Sequence, residues 1–211
     1  MARTYKIKES FYTLQGEGAQ AGRAAVFLRF AGCNLWSGRE EDRSGAVCQF
    51  CDTDFIGTDG QNGGRYTLQE CADLVASLWP GGGTPYVVCT GGEPLLQLDE
   101  PLIQALHDRG FEVAVETNGT VVVPESIDWV CVSPKANAKL VVTVGDELKL
   151  VYPQPEWGAQ PPAFTDLGFT HFFLQPKDEP GTDNTPAVVG YCMAHPQWRI
   201  SLQTHKMMGI D

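Results

Sequence analysis

The chain has 211 residues, 43% of them hydrophobic, and a formal net charge of -11. That much apolar material supports one sizeable core, so a single domain over 1–211 is expected. The acidic balance excludes broad contact with nucleic-acid phosphates or anionic lipid, because both need a basic face.

The opening residues Met1 to Lys8 lack the apolar core of a secretory signal, and no apolar run is long enough to span a bilayer, so a cytoplasmic protein is expected. Seven cysteines, an odd number, argue in that setting for free thiols and a metal site rather than a disulfide framework. Phe11 to Gly18 sets two glycines around a carboxylate and reads as a glycine turn before the first strong strand, Ala24 to Phe30. Next comes a long loop from Cys33 to Cys51. Cys48-Gln49-Phe50-Cys51 can point two sulfurs at one centre, and Cys33 joins them if the loop folds back. Three thiolates leave one coordination position open, unlike a closed structural zinc site or a four-cysteine ferredoxin cluster. Cys71, Cys89, Cys131 and Cys192 lie in apolar segments and read as small core residues.

Tyr66 to Trp79 has the spacing of an amphipathic helix, stopped by Pro80-Gly81-Gly82-Gly83. Tyr86 to Thr90 is a strand running into Gly91-Gly92-Glu93-Pro94, and a helical pattern follows over Leu95 to Gly110. Strands are expected at Phe111 to Thr117, Trp129 to Ser133, Glu147 to Tyr152, His171 to Gln175 and Trp198 to Gln203, with a helix over Thr185 to His195. Strands joined by crossovers imply a parallel sheet with outer helices. An eightfold barrel takes about 250 residues, so an incomplete TIM-like barrel of about six parallel strands is expected. Ligands of such sheets gather at the carboxyl ends of the strands. Polar groups recur there, at Thr90 to Glu93, Glu116 to Asn118, Ser133 to Lys135, Gln175 to Asp178 and Thr204 to Lys206, and are expected to share one pocket.

The cysteine trio, Phe50 before its last member and Gly91-Gly92-Glu93-Pro94 resemble the radical S-adenosylmethionine superfamily. Leu14 to Gly18, Phe27-Leu28-Arg29, Cys51-Asp52-Thr53, Glu116 to Gly119, Ser133-Pro134-Lys135 and Gln203 to Lys206 resemble most closely its 7-carboxy-7-deazaguanine synthase family. The likeness covers nearly the whole chain. One departure is the stretch Asn34 to Val47, where the superfamily usually has three residues; such an insertion is inexpensive because closure entropy grows slowly with loop length.

The resemblance implies a lyase of queuosine biosynthesis that contracts the ring of 6-carboxy-5,6,7,8-tetrahydropterin to 7-carboxy-7-deazaguanine with loss of ammonia. It implies a 4Fe-4S cluster on Cys33, Cys48 and Cys51, with S-adenosylmethionine at the open iron. For that cofactor it implies contacts from Phe50, Asp52, Gly92, Asn118, Ser133, Lys135 and Gln175. Magnesium, a hard ion that favours oxygen, is implied at Thr53. For the pterin it implies Leu14, Gln15, Gly16, Glu17, Arg29, Thr90, Glu116, His205 and Asp211, with Lys206 a further cation for the acid. Bland readings stand beside these: Arg29 in a structural ion pair, Lys135 and His205 as surface residues, Gln175 as a loop cap, Thr53 as a turn hydroxyl, the chain end as a frayed tail. A homodimer and an electron donor such as flavodoxin are expected. The alternatives are another radical enzyme, such as a glycyl-radical activase, or a noncatalytic metal-binding module. No general acid or base can be named from the sequence.

Overall fold

A computed structural model of the chain describes residues 3–210. One nine-stranded sheet runs in the order β3-β1-β2-β4-β5-β6-β7-β8-β9. Its members are β1 (Tyr5–Leu14), β2 (Ala24–Phe30), β3 (Gly64–Tyr66), β4 (Tyr86–Gly91), β5 (Glu112–Thr117), β6 (Trp129–Val132), β7 (Val144–Tyr152), β8 (Gly168–Pro176) and β9 (Trp198–Ile200). From β2 through β9 every pairing is parallel, while β1 lies antiparallel to both β2 and β3. The parallel strands number seven, against the six or so expected, and the sheet remains open between β3 and β9 among the described residues.

Side chains alternate across each strand, so period two sorts the sequence onto two faces. Val26, Leu28, Phe30, Val87, Cys89, Val113 and Val115 point outward into one core with Cys71, Ala72 and Val75 of helix α1 (Leu68–Leu78) and Leu102, Ile103 and Leu106 of helix α2 (Glu100–His107). Each such aliphatic side chain contributes about 1.5–3 kcal/mol on burial. Leu148, Leu150, Leu174 and Trp198 form a second core with Val188 of helix α3 (Thr185–Ala194). The intervening residues Phe27, Arg29, Thr90, Glu116, Lys149, Val151 and Gln175 line a cleft on the opposite face.

Thr67 opens α1 with a capping box, its hydroxyl accepting from the Glu70 amide while the Glu70 carboxylate accepts from the Thr67 amide. The helix expected over Leu95 to Gly110 is split into a short turn at Pro94–Leu96 and α2, which is capped by Asp99. At the break, Gln97 is taken by long-range partners, donating to the Ala31 carbonyl and accepting from the Lys6 amide. Thr204–Met208 forms a further short helix, α4, closed by Gly209 in the left-handed region, where the sequence suggested only a strand end or a frayed tail. No described helix is long and apolar enough to cross a membrane.

Candidate active site

The cysteine loop leaves the end of β2 and precedes β3 and the crossover helix α1 that leads on to β4. Its course is set by a buried indole: Trp36 donates from Nε1 to the Arg39 carbonyl and meets Phe55 edge to face at 5.6 Å. Arg43, on a short turn at Glu40–Gly45, lies 4.0 Å over the Trp36 ring and donates to the carbonyls of Gln49 and Cys51. Lys8, itself 7% exposed, ties down the far side through Asp54 and Asp59, each at 2.7 Å, and the Ile56 carbonyl.

Cys33, Cys48 and Cys51 are free thiols and all three line the same cleft, of about 460 Å³. The neighbouring Cys48 thiol holds Cys51 down, to about 6, while Cys51, with burial adding, pushes Cys48 up. The Gly91-Gly92-Glu93 loop is docked on this segment by the Glu93 amide, which donates to the Gly32 carbonyl at 2.9 Å. A Cβ at Gly92 would meet the Gly32 carbonyl oxygen and the Cys33 Cβ, which is why this position needs glycine. Glu93 is fully buried, and burial pushes its carboxyl up against the hydrogen bonds it accepts from the Asn118 amide, Thr117 hydroxyl and Leu95 amide. It thereby joins the ends of β4 and β5.

Of the residues expected around S-adenosylmethionine, Phe50, Asp52, Gly92, Asn118, Ser133, Lys135 and Gln175 all line the cleft. Asn118 donates to the Asn34 side chain, and Lys135 Nζ sits on the Ser133 hydroxyl and carbonyl at 2.6 and 2.7 Å. Asp52 is taken up by Lys206 at 2.9 Å, and Lys206, which also lines the cleft, holds Asp178 and so straps α4 to two loops. Thr53 lines the cleft with its hydroxyl 3.5 Å from Asp52 Oδ1.

Leu14, Gln15, Gly16, Glu17, Arg29, Thr90, Glu116 and His205 also line the cleft; Asp211 lies outside the described residues. Arg29 donates from Nε to Glu9 at 2.8 Å, so the structural ion pair weighed for it is present as well as its place in the cleft. The glycines of Gln15 to Gly18 have separate reasons. The His205 ring packs where a side chain at Gly16 would stand, and Gly18 takes a φ of +65° directly over the Glu147 carboxylate. The turn is pinned by Ala19 and Gly18 amides donating to Glu147 and Ser201, and by the Gly16 carbonyl, which accepts from the Thr204 amide and hydroxyl.

Two residues escaped the sequence reading, Lys149 and Glu147, and Gln203 entered it within the stretch Gln203 to Lys206, with no role assigned. Lys149, 4% exposed, is 2.5 Å from Glu17 and 3.4 Å from Glu116. Burial works against its charge, but Glu116 and Glu17 hold its pKa well above the ordinary lysine value. Burial alone would raise Glu17; Lys149, with a hydrogen bond from Gln203, keeps that carboxyl below its usual range. Glu147 is pushed up, chiefly by burial. Glu147 and Lys149, two charged residues on one face of β7 alternating with Leu148 and Leu150, were the available signal.

The geometry thus sets a thiol trio beside a buried acid-base network. A profile of the Radical SAM superfamily matches residues 44–131. The 7-carboxy-7-deazaguanine synthase of Bordetella pertussis is 63% identical over 98% of this chain and 99% of its own, and that of Caulobacter vibrioides 60% identical over the same shares. The chain belongs to the 7-carboxy-7-deazaguanine synthase family. A crystal structure of QueE from Escherichia coli superposes with a TM-score of 0.73 at 26% identity, covering 94% of this chain and 93% of that one. As a family member it is a radical S-adenosylmethionine lyase working with a 4Fe-4S cluster and S-adenosylmethionine. The donor set fits: three free thiols open on one cleft, with a glycine-only approach beside them. Among the described residues no three ligating side chains surround a single point as a lone ion would require. A four-iron cluster asks for something else, one thiolate at each of three separate irons.

Proposed function

We propose that this chain contracts the ring of 6-carboxy-5,6,7,8-tetrahydropterin to 7-carboxy-7-deazaguanine, releasing ammonia, as a step in queuosine biosynthesis. The observation that carries this reading is the opening of the Cys33, Cys48 and Cys51 thiols onto the same cleft as Glu17, Glu116 and His205. Held by Cys33, Cys48 and Cys51, a bound cluster with S-adenosylmethionine would supply the radical chemistry needed to activate a substrate C–H bond. The chain's own residues orient and enclose. Gly92 lets the backbone approach the methionine end, while Phe50, Asn118, Ser133, Lys135 and Gln175 contact the adenosine, and Asp52 does so from its pair with Lys206.

Gln15, Glu17, Glu116 and Thr90 receive the ring, supported by Leu14 and Gly16; Arg29 and His205 serve the acid, and the carboxylate of Asp211, outside the described residues, is assigned to the donor-rich ring edge. Thr53 offers a hard oxygen for magnesium between cluster loop and substrate. The protein is read as one domain and a cytoplasmic homodimer, supported by exposed apolar Val189 and Met193 on α3. Reduction draws on a one-electron donor such as flavodoxin.

The test is anaerobic reconstitution with iron and sulfide, followed by incubation with S-adenosylmethionine, reductant and the pterin. The expected result is a cluster absorption spectrum and stoichiometric 7-carboxy-7-deazaguanine and ammonia by chromatography. Cleavage of S-adenosylmethionine with the pterin recovered intact would overturn the substrate.

A further inference from the structure

Glu17 and Glu116 enter the cleft from different parts of the sheet, one on the turn after β1 and one at the end of β5, with Lys149 of β7 between them. An ionised carboxylate offers about four lone-pair sites. Glu17 spends three of them, on Lys149, Gln175 and Gln203; Glu116 spends two, on Gln15 and Lys149. Among the described residues, both acids therefore retain acceptor capacity beyond the donors named. Two carboxylates in a part-buried cleft repel each other, and desolvation drives one to take up a proton unless a cation stands beside them.

We propose that Lys149 is a positioning residue for substrate recognition: it holds Glu17 and Glu116 together as one acceptor surface for the N–H edge of a flat, donor-rich ring. Lys149 spends two of its three ammonium donors on these acids and is 4% exposed, so it acts through the two acids rather than on the ring. The pair is held in turn from the lower side. Glu147, two residues earlier on the same face of β7, accepts from the Ala19 amide and from Cys131 Sγ at 3.5 Å, and so fixes the turn that carries Glu17. The charged and titratable groups facing Glu17 are Lys149 and His205, while Glu116, Glu147 and Cys131 face Lys149 itself, and Lys149 is the fixed cation at the Glu17 oxygens.

This inference rests on the pterin reading, and the experiment separates the two. The reconstituted enzyme with S-adenosylmethionine bound is titrated anaerobically with 6-carboxy-5,6,7,8-tetrahydropterin from pH 6 to 9, as the natural protein, Lys149→Met and Lys149→Arg. Truncating one partner of a buried charge set should weaken pterin binding about tenfold or more in Lys149→Met at neutral pH. Without the cation, burial raises Glu17, so the acceptor form is lost as pH falls through that raised value. The loss relative to the natural protein should thus shrink as pH rises. Lys149→Arg should stay within about threefold, and S-adenosylmethionine affinity and the cluster spectrum should be unchanged in both. Equal pterin affinity in Lys149→Met, or a loss that is the same at every pH, overturns the role. Should Lys149→Met fail to fold, Lys149→Ala titrated with and without propylammonium decides: restored affinity supports the proposal and no restoration overturns it. Failure of the natural protein itself to bind the pterin sinks the substrate reading, and this inference with it.

Discussion

The Arg43 guanidinium lies 4.0 Å from the Trp36 ring centroid, and its Nη1 reaches the carbonyls of Gln49 and Cys51 at 2.9 and 3.1 Å. A residue of the inserted loop therefore grips the backbone between two proposed cluster ligands. Replacing Arg43 by Lys keeps the charge but removes the planar fork that stacks and bridges. Arg43→Lys should bind less iron per chain after reconstitution and lose it faster to a chelator, with a small change in Tm. Trp36→Ala, which empties a buried site, should cost about 3–5 kcal/mol in a denaturant melt. Iron retention in Arg43→Lys equal to that of the natural protein would remove the insertion from the cluster's support.

The close docking of Gly92 against Gly32 and Cys33 leads to a second expectation. In Gly92→Ala the new methyl meets backbone rather than a flexible side-chain end, so the cysteine loop has to shift. Overpacking of this kind costs about 1–3 kcal/mol. Chemical denaturation should show that loss, and S-adenosylmethionine binding by calorimetry should be weakened. Unchanged values for both would mean the loop has slack that the contact distances deny.

Cys71 and Cys89 sit in the core, where burial pushes the Cys71 thiol up to about 12 and Cys89 upward as well. Protonated core thiols are poor iron ligands. Alanine at either position should leave iron content intact, whereas alanine at Cys33, Cys48 or Cys51 should abolish the cluster absorbance. A full cluster in Cys48→Ala would refute the ligand set.

Thr53→Ala tests the magnesium position. Turnover of the natural enzyme should rise with added Mg²⁺, and this response should be lost in the variant while S-adenosylmethionine still binds. An identical metal dependence in the two proteins would move the ion elsewhere.

Lys8 gives a stability prediction with a defined sign. Its hydrogen bonds hold Asp54 and Asp59 below the ordinary carboxylate range, and hydrogen bonds to Asp54 and Asp59 raise Lys8 itself. Depressed carboxylates contribute stability that is present above their unfolded value of about 4 and is lost as pH falls through the lower folded value. The lysine's contribution is present below about 10.4 and is lost only as pH rises through its raised value. Lys8→Met should therefore lower Tm at pH 7, and the two melting curves should converge below about pH 4. Parallel curves down to pH 2 would show that the pairs contribute nothing.

Much of the site was legible because its parts are local. The Cys48 to Cys51 spacing, the Gly-Gly-Glu-Pro loop and the polar ends of apolar strands are each short stretches whose chemistry reads without a partner. The same holds for α1, where Thr67 and Glu70 announce their own cap. Strand β1 was read only as a turn, because an antiparallel edge strand with an irregularity between Ile7 and Glu9 does not keep a clean alternation. Helix α4 was missed because its five residues take their support from Gly16, far away in sequence.

The sequence by itself determined the parallel sheet through local periodicity and singled out the thiol trio by residue type, while the cofactor class followed from the family its short motifs resemble. Only the tertiary structure decided which charges meet. Lys149 is 132 positions from Glu17 and 33 from Glu116, and Lys206 is 154 from Asp52. Such pairs depend on the register of successive strands around the open barrel, and a shift of one residue would turn Lys149 outward into the aliphatic core. The reason is physical: strand period two specifies two faces, but which face is wet and which acids await there is settled only when the neighbouring strands are in place.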